Sequence, residues 1–365
     1  MNKVKFIFAG GGTGGHLFPA VAIAEEIKML LPQSEIMFIG NRNKIEGKIV
    51  PQYGYEFKNI NINGFSRKIN FSNLIFPFKL LVAILKSLFY ILKFKPKAVI
   101  GTGGYVSGPV LWSANLLGIT TILQDHNSYP GVTTRLLAKN AKEIHLAFDD
   151  AKKYFKREDN IKISGFPIRR EMVKCNKEDS LKFFGCDLNK KTIFITGGSQ
   201  GAKKINDALA KIVLDLVNLN IQIIWQTGSL QYNEIRNKFG INESIKVLEF
   251  IGDMNKAYSA CDLAITRAGA TTIGELLNLE VPAILIPLPT AAEDHQMKNA
   301  LSLSKHNAAI VIPEDQIDAL LKDKILTLIN DENKLNDLKS NLRKLQVKDS
   351  AKKIAESIIK LINNN

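Results

Sequence analysis

The chain has 365 residues, enough for two domains at roughly 100–200 residues each. Hydrophobic residues make up 45% and charged residues 23%, which excludes disordered and fibrous classes, and Cys175, Cys186 and Cys261 form no Cys-x-x-Cys pair, which excludes a disulfide framework and a cysteine zinc site. The formal net charge of +14 is unevenly spread: residues 1–164 carry 22 Lys and Arg against 11 Asp and Glu, net +11, and residues 165–365 carry 27 against 24, net +3.

The opening apolar run is too short for a signal peptide, and the cysteine usage fits a reducing cytosol. Val4–Ala9 reads as a strand, followed by a glycine turn and an amphipathic helix from about Phe18 to Leu30. Further strands are expected at Glu35–Ile39, Ala98–Ile100, Thr120–Leu123 and Ile144–Ala147, with helical stretches between them. Near residue 190 the pattern restarts: strand Thr192–Thr196, glycine turn Gly197–Gly201 and helix Ala202–Val217. Strands then follow at Ile221–Gln226, Ile245–Glu249, Leu263–Thr266, Ala283–Ile286 and Ala308–Ile312. Alternating strands and helices imply parallel sheets covered on both faces, here two α/β units in tandem with a ligand expected in the cleft between them. The boundary is expected at Gly165-Phe166-Pro167, giving domains 1–164 and 165–346, with a terminal helix at about 347–365 that crosses back onto the first.

The most apolar stretch is Leu74–Leu92. A membrane-spanning reading is disfavoured by Pro77, Lys79 and Lys86, because a lysine at a bilayer centre costs about 2.5–3.5 kcal/mol. Lys79, Lys86 and Lys93 lie seven residues apart on one helical face, opposite Leu81, Ile84, Leu85, Leu88, Ile91 and Leu92. One reading is a core helix with a solvated lysine stripe. The sharper one lays Phe71, Phe76, Phe78, Phe89 and the lysines on an anionic membrane, in keeping with the basic first half. Nucleic acid is not expected, since there is no zinc finger, arginine-rich helix or basic-aromatic motif.

Three glycine loops follow strands: Gly10-Gly11-Gly12-Thr13-Gly14-Gly15-His16, Gly101-Thr102-Gly103-Gly104-Tyr105 and Gly197-Gly198-Ser199-Gln200-Gly201. Such loops admit a ligand close to the backbone, and the next helix N-terminus presents free N–H groups to phosphate. Tight turns alone can also account for glycine there. Gly10, Gly12 and Gly15 satisfy the dinucleotide fingerprint, but the second strand ends Phe38-Ile39-Gly40-Asn41 without the acid that would hold ribose; Arg42 keeps a 2′-phosphate in play. No Walker A lysine follows any loop. Arg267 to Glu275 is a further strand–turn–helix, with Glu275 one turn in, either meeting a ribose diol or complementing the helix dipole. Asp294-His295-Gln296 opens another helix with groups suited to sugar hydroxyls.

Five segments together resemble the peptidoglycan N-acetylglucosaminyltransferase family, which converts lipid I to lipid II: Gly11 to Pro19, Gly103 to Pro109, Gly197 to Ala202, Arg267 to Glu275 and Asp294 to Ala300. The resemblance runs through nearly the whole chain. It implies a GT-B fold, two Rossmann-like α/β domains with a deep interdomain cleft, the lipid acceptor and a peripheral membrane patch on the first (Lys79, Lys86, Phe89, Lys93) and the UDP-sugar on the second. It departs from the family at Gln124-Asp125-His126-Asn127, where His-Glu-Gln-Asn is usual, and at Gly165-Phe166-Pro167-Ile168-Arg169, where Gly-Asn-Pro-Val-Arg is usual.

The implied activity is inverting transfer of N-acetylglucosamine from UDP-N-acetylglucosamine to the muramoyl 4-hydroxyl of lipid I at the cytoplasmic face of the membrane. No metal and no cofactor are expected, there being no Asp-x-Asp. Substrate-binding positions carried over are Thr13, Gly14, Gly15, Tyr105, Asn127 and Arg169, then Ser199, Ile251 (uracil, through its backbone), Ala270, Thr271, Thr272, Glu275 (ribose) and Gln296 (sugar hydroxyls). His16 is the favoured general base, its ordinary pKa of about 6.5 suiting proton abstraction near neutrality, and Asp125 is the rival. Two other classes stay open: transfer to another lipid such as diacylglycerol, and a non-catalytic nucleotide-sugar-binding subunit.

Overall fold

The computed structural model describes residues 3–62, 64, 71–198 and 200–363, with 71–74 by backbone alone. The chain divides into two units, Met1–Arg169 with Val347–Asn365, and Arg170–Gln346. Gly165 to Arg169, which the glycine and proline break assigns to the second domain, lie in the first unit.

In the first unit β1 (Lys5–Gly10), α1 (Gly14–Leu30), β2 (Glu35–Gly40), α2 (Ile45–Gln52), β3 (Glu56–Asn59) and α3 (Phe71–Phe94) are followed by β4 (Ala98–Gly103), α4 (Ser107–Leu116), β5 (Thr120–Asp125), α5 (Val132–Leu137), β6 (Glu143–Leu146) and β7 (Ile161–Ile163). All pairings are parallel, in the order β3-β2-β1-β4-β5-β6-β7. From Phe6 to Gly10 strand β1 is apolar and buried because both its faces are covered. Phe6 and Phe8 pack with Leu17, Ile23 and Ile27 of α1, and Ile7 and Ala9 pack with Val110 and Leu111 of α4. The strand order reverses between β1 and β4, so the loops that leave those two strands flank a switch point where doubly wound sheets bind ligands.

The second unit repeats the plan. It contains α6 (Lys177–Phe183), β8 (Lys191–Thr196), α7 (Lys203–Asn218), β9 (Ile221–Gln226), α8 (Tyr232–Phe239), β10 (Ile245–Leu248) and α9 (Met254–Ala260). β11 (Leu263–Thr266), α10 (Ala270–Leu279), β12 (Ala283–Leu285), α11 (His295–Ser304), β13 (Ile310–Val311), α12 (Ile317–Ile329) and α13 (Glu332–Leu345) complete it. Its parallel sheet runs β10-β9-β8-β11-β12-β13, with the reversal between β8 and β11.

The chain then returns to the first unit as α14 (Ser350–Asn363), whose Ile354, Ala355 and Ile358 are fully buried in the same core layer as α1. A buried isoleucine contributes about 1.5–3 kcal/mol, so this helix is an integral layer of the unit. Polar groups pin it as well. Ser357 Oγ donates to Glu143 Oε2 at 2.7 Å and accepts from Lys162 Nζ at 2.6 Å, and Lys162 Nζ also reaches Glu143 Oε1 at 2.5 Å. His145 bridges Glu143 and Ser164.

The long helix α3 differs from the expected two-faced pattern. Its buried stripe is Ala83, Ser87 and Ile91, with Phe76, Leu80, Tyr90 and Phe94 packed alongside. The small side chains let α3 approach α4 closely, and Ser113 Oγ of α4 donates to the Ile84 carbonyl at 3.4 Å. Leu81, Leu85, Phe89 and Leu92, by contrast, are 53–59% exposed, and Phe78 is 67% exposed. The large apolar residues therefore face outward, Phe76 faces the core, and Lys86 and Lys93 are exposed on a third flank. The segment Ile75–Phe94 is long and apolar enough to cross a membrane by composition, with 17% of it buried.

Candidate active site

The first switch point is built by two glycine loops pressed together. Gly103 and Gly104 adopt φ of +101° and +79°, and a Cβ at Gly104 would meet the Gly11 carbonyl at 2.3 Å. A Cβ at Gly103 would meet His16 Nδ1 at 2.5 Å. Glycine here serves the contact of loop on loop, a reason distinct from a phosphate cradle.

Helix α1 begins at Gly14, four residues before the expected start, with extended Thr13 at its N-cap. Gly14, Gly15 and His16 thus form the first helical turn, where N–H groups lack intrahelical carbonyl partners. His16 is locked against β4: its Nδ1 donates to the Thr102 carbonyl at 3.1 Å, while Thr102 Oγ1 donates to the His16 carbonyl at 2.7 Å. A carbonyl can only accept, so Nδ1 carries the proton and the lone pair of the neutral ring sits on Nε2. The His126 ring lies 5.1 Å away, centroid to centroid.

Asp125, at the end of β5, is buried, and both its carboxylate oxygens serve the following loop. Oδ1 accepts the Asn127 N–H and Oδ2 the Gly131 N–H, each at 3.0 Å. These two bonds fold the loop that carries Asn127 back onto the end of β5. Tyr105 is 57% exposed, its ring against Gly64. Arg169 closes the first unit with its guanidinium 4.4 Å over the Phe18 ring.

The sequence gives no sign of Glu46. This side chain is 1% exposed, and its oxygens accept the N–H groups of Asn41 and Gly12, both at 2.9 Å. Gly11 and Gly40 leave the room it occupies. The Gly12 N–H, which a dinucleotide fingerprint would turn toward a pyrophosphate, is thereby already engaged.

In the second unit the groups gather at the β8/β11 switch point. Gly198 has φ +91° and Gly201 +79°; Ser199 between them lies outside the described residues. Gln226 organises this region: its Nε2 donates to Thr196 Oγ1 and the Gly198 carbonyl, and its Oε1 accepts the Ile251 N–H at 2.8 Å. Ile251 therefore presents its carbonyl rather than its N–H, beside a cavity of ≈ 500 Å³ lined by Phe183, Phe184, Arg236, Phe250 and Asp253.

Helix α10 starts at Ala270 after extended Gly269, so the amides of Ala270, Thr271 and Thr272 form its open N-terminus, and Thr271 Oγ1 is buried without a protein partner. Glu275 is 8% exposed and accepts the Tyr258 hydroxyl at 3.2 Å. Gln296 Oε1 accepts the Leu288 N–H at 3.0 Å, a bond that does not use its Nε2 donors. Arg267 instead ties to Glu314 and to the Ile286 and Pro287 carbonyls. Among the described residues, no three His, Cys, Asp or Glu side chains converge as a metal site requires.

Two family models account for most of this. Residues 6–146 match the glycosyltransferase family 28 N-terminal domain and residues 192–354 the family 28 C-terminal domain. The chain belongs to glycosyltransferase family 28. Within that family it falls among the MurG-type enzymes. It is 42% identical over 366 residues to the UDP-N-acetylglucosamine–N-acetylmuramyl-(pentapeptide) pyrophosphoryl-undecaprenol N-acetylglucosamine transferase of Flavobacterium psychrophilum, covering 100% of this chain and 99% of the relative. The enzyme of the same name from Christiangramia forsetii is 41% identical over 99% of this chain and 98% of its own length. The crystal structure of Acinetobacter baumannii MurG superposes with a TM-score of 0.78 at 27% identity, covering 98% of this chain and 99% of that one. The two parallel-sheet units of this family 28 member are those of the GT-B fold.

Proposed function

We propose that this chain moves N-acetylglucosamine from UDP-N-acetylglucosamine to the 4-hydroxyl of the muramoyl-pentapeptide carried on undecaprenyl diphosphate, with inversion at the anomeric carbon. The observation that carries the reading is the full-length likeness to enzymes of that name.

The donor occupies the second unit. The Ile251 carbonyl accepts the N3–H of uracil, a donor that cytosine lacks. Glu275 takes the ribose hydroxyls, and the Nε2 of Gln296 donates to the sugar. The leaving diphosphate gathers charge as the glycosidic bond breaks. The amides of Ala270, Thr271 and Thr272, the Thr271 hydroxyl and Ser199 stabilise it, a helix N-terminus being equivalent to about half a positive charge.

The acceptor belongs to the first unit, along Thr13, Gly14, Gly15, Tyr105 and Asn127. His16 Nε2 takes the proton of the attacking hydroxyl, while the bond from Nδ1 to Thr102 holds the ring in that tautomer. Asp125 shapes the loop bearing Asn127. The enzyme works as a peripheral protein on the anionic cytoplasmic face of the membrane. The outward Phe78, Leu81, Leu85, Phe89 and Leu92 of α3 enter the headgroup boundary, Lys79, Lys86 and Lys93 meet lipid phosphate, and exposed Trp112, Leu116 and Leu136 of α4 and α5 add to the apolar area.

The test is turnover with UDP-N-acetylglucosamine and a short-chain lipid I analogue beside diacylglycerol. Sugar on diacylglycerol alone, or on neither, overturns the proposal. His16→Ala is expected to lower kcat about 100- to 10,000-fold at saturating acceptor, and near-full turnover removes it as the base.

A further inference from the structure

Glu275 has three rotatable bonds and sits on a helix whose N-terminus is open, so its direction needs a cause. One hold on it comes from a different element. Tyr258, on α9, is 1% exposed and donates its hydroxyl to Glu275 Oε2 at 3.2 Å. The phenol is itself held, since its ring meets Phe194 of β8 edge-on at 5.2 Å and 83°. Burial, and after it the neighbouring Glu275 carboxylate, push the Tyr258 phenol well above its usual value, so it keeps the proton it donates. Phe194 lies two residues before Thr196, which accepts from Gln226 and the Gly198 N–H. One packed run thus links the glycine loop, the phenol and the carboxylate.

We infer that Tyr258 is the positioning residue that aims Glu275 and so sets the selectivity of the donor site for ribose over 2′-deoxyribose. The inference rests on the reading that Glu275 takes the ribose diol. A carboxylate left to wander loses rotamer freedom each time a nucleotide binds, whereas one already held by a buried hydroxyl loses little. The benefit is confined to ligands that engage it: a nucleotide lacking the 2′-hydroxyl makes fewer of the bonds that the aimed carboxylate offers.

The experiment measures the Kd of UDP and dUDP by titration calorimetry on the full chain and on Tyr258→Phe, which removes one oxygen and leaves the ring packed. The wild type is expected to favour UDP by about tenfold or more, the scale of a hydrogen bond to a charged group. In Tyr258→Phe that preference falls several-fold through weaker UDP binding, with the Kd of dUDP within twofold. In turnover the KM for UDP-N-acetylglucosamine rises correspondingly, with kcat within twofold. Phe194→Leu, which keeps the hydroxyl but removes the ring that holds it, lowers the same ratio by less and decides the matter should the phenylalanine variant fold poorly. A wild type that binds both nucleotides equally overturns the ribose reading of Glu275 and the inference with it. A wild type that discriminates, with variants that discriminate as strongly, overturns the inference alone.

Discussion

Glu46 offers a direct measure of what holds the first glycine loop. Its two hydrogen bonds to backbone N–H groups, both 2.9 Å, tie Gly12 to Asn41 from a buried carboxylate. Bonds to a charged group contribute roughly 1.5–3 kcal/mol each, and a buried donor left unsatisfied costs about 1–3 kcal/mol. Glu46→Gln keeps the shape but has one acceptor oxygen, so its NH₂ group confronts one of the two N–H donors. The expected destabilisation is about 2–4 kcal/mol. For units of this size each kcal/mol moves Tm by roughly 2–4 °C, so calorimetry should record a fall of about 5–15 °C. The loop carries Thr13 to His16, so lipid I turnover should fall at least tenfold while UDP, which we propose binds the second unit, keeps an unchanged Kd. A variant with Tm within a degree of the wild type and unaltered acceptor kinetics would refute the reasoning.

Three further outcomes follow from the structure. Burial raises the Glu143 carboxyl, but the bonds from His145, Lys162 and Ser357 overcome this and hold it at about 2, below its ordinary 4.5; its stabilisation is therefore present above about pH 4.5 and lost as pH falls toward 2. Burial also lowers His145 below its usual 6.5, against the pull of Glu143, so stability begins to fall below about pH 6.5. Urea midpoints against pH should show both slopes, with the lower one missing from Glu143→Gln; an unchanged slope below pH 4.5 contradicts the assignment. Gly104→Ala should destabilise by at least 1 kcal/mol more than Gly118→Ala, because both have positive φ but only Gly104 has a carbonyl 2.3 Å from the added methyl; equal urea midpoints contradict this. Leu85→Ser should weaken sedimentation with anionic vesicles and leave Tm unchanged, Ala83→Leu should lower Tm, and joint Lys79, Lys86 and Lys93→Glu should abolish salt-sensitive vesicle binding. Reversal of the Leu85 and Ala83 effects would mean that α3 buries the other face.

The parallel sheets were legible because apolar β-branched runs such as Thr192 to Thr196 stand out between glycines. The strands that escaped notice lie at the far edges. β3 reads Glu-Phe-Lys-Asn with no apolar run, and β7 is three residues long. The start of α1 was hidden by Gly14 and Gly15, which are weak helix formers and read as part of the preceding turn. Periodicity found the amphipathic character of α3 and one of its two readings set Phe78 and Phe89 outward, but neither marked Ala83 and Ser87 as the core stripe, because the pattern cannot tell small buried side chains from small surface ones. Motif spacing marked Glu275 and Gln296 while leaving their supports unseen. Tyr258 is 17 residues from the carboxylate it holds, and Glu46 bonds to backbone N–H groups, which every sequence possesses.

The return of α14 makes the second unit an insertion within the first. During synthesis, residues 1–169 emerge with the groove for Ile354 and Ile358 still bare on α1, while residues 170–346 hold everything their own sheet needs. The later-born unit is thus the one able to mature alone, and the earlier one waits, with apolar surface uncovered, until translation has passed residue 358.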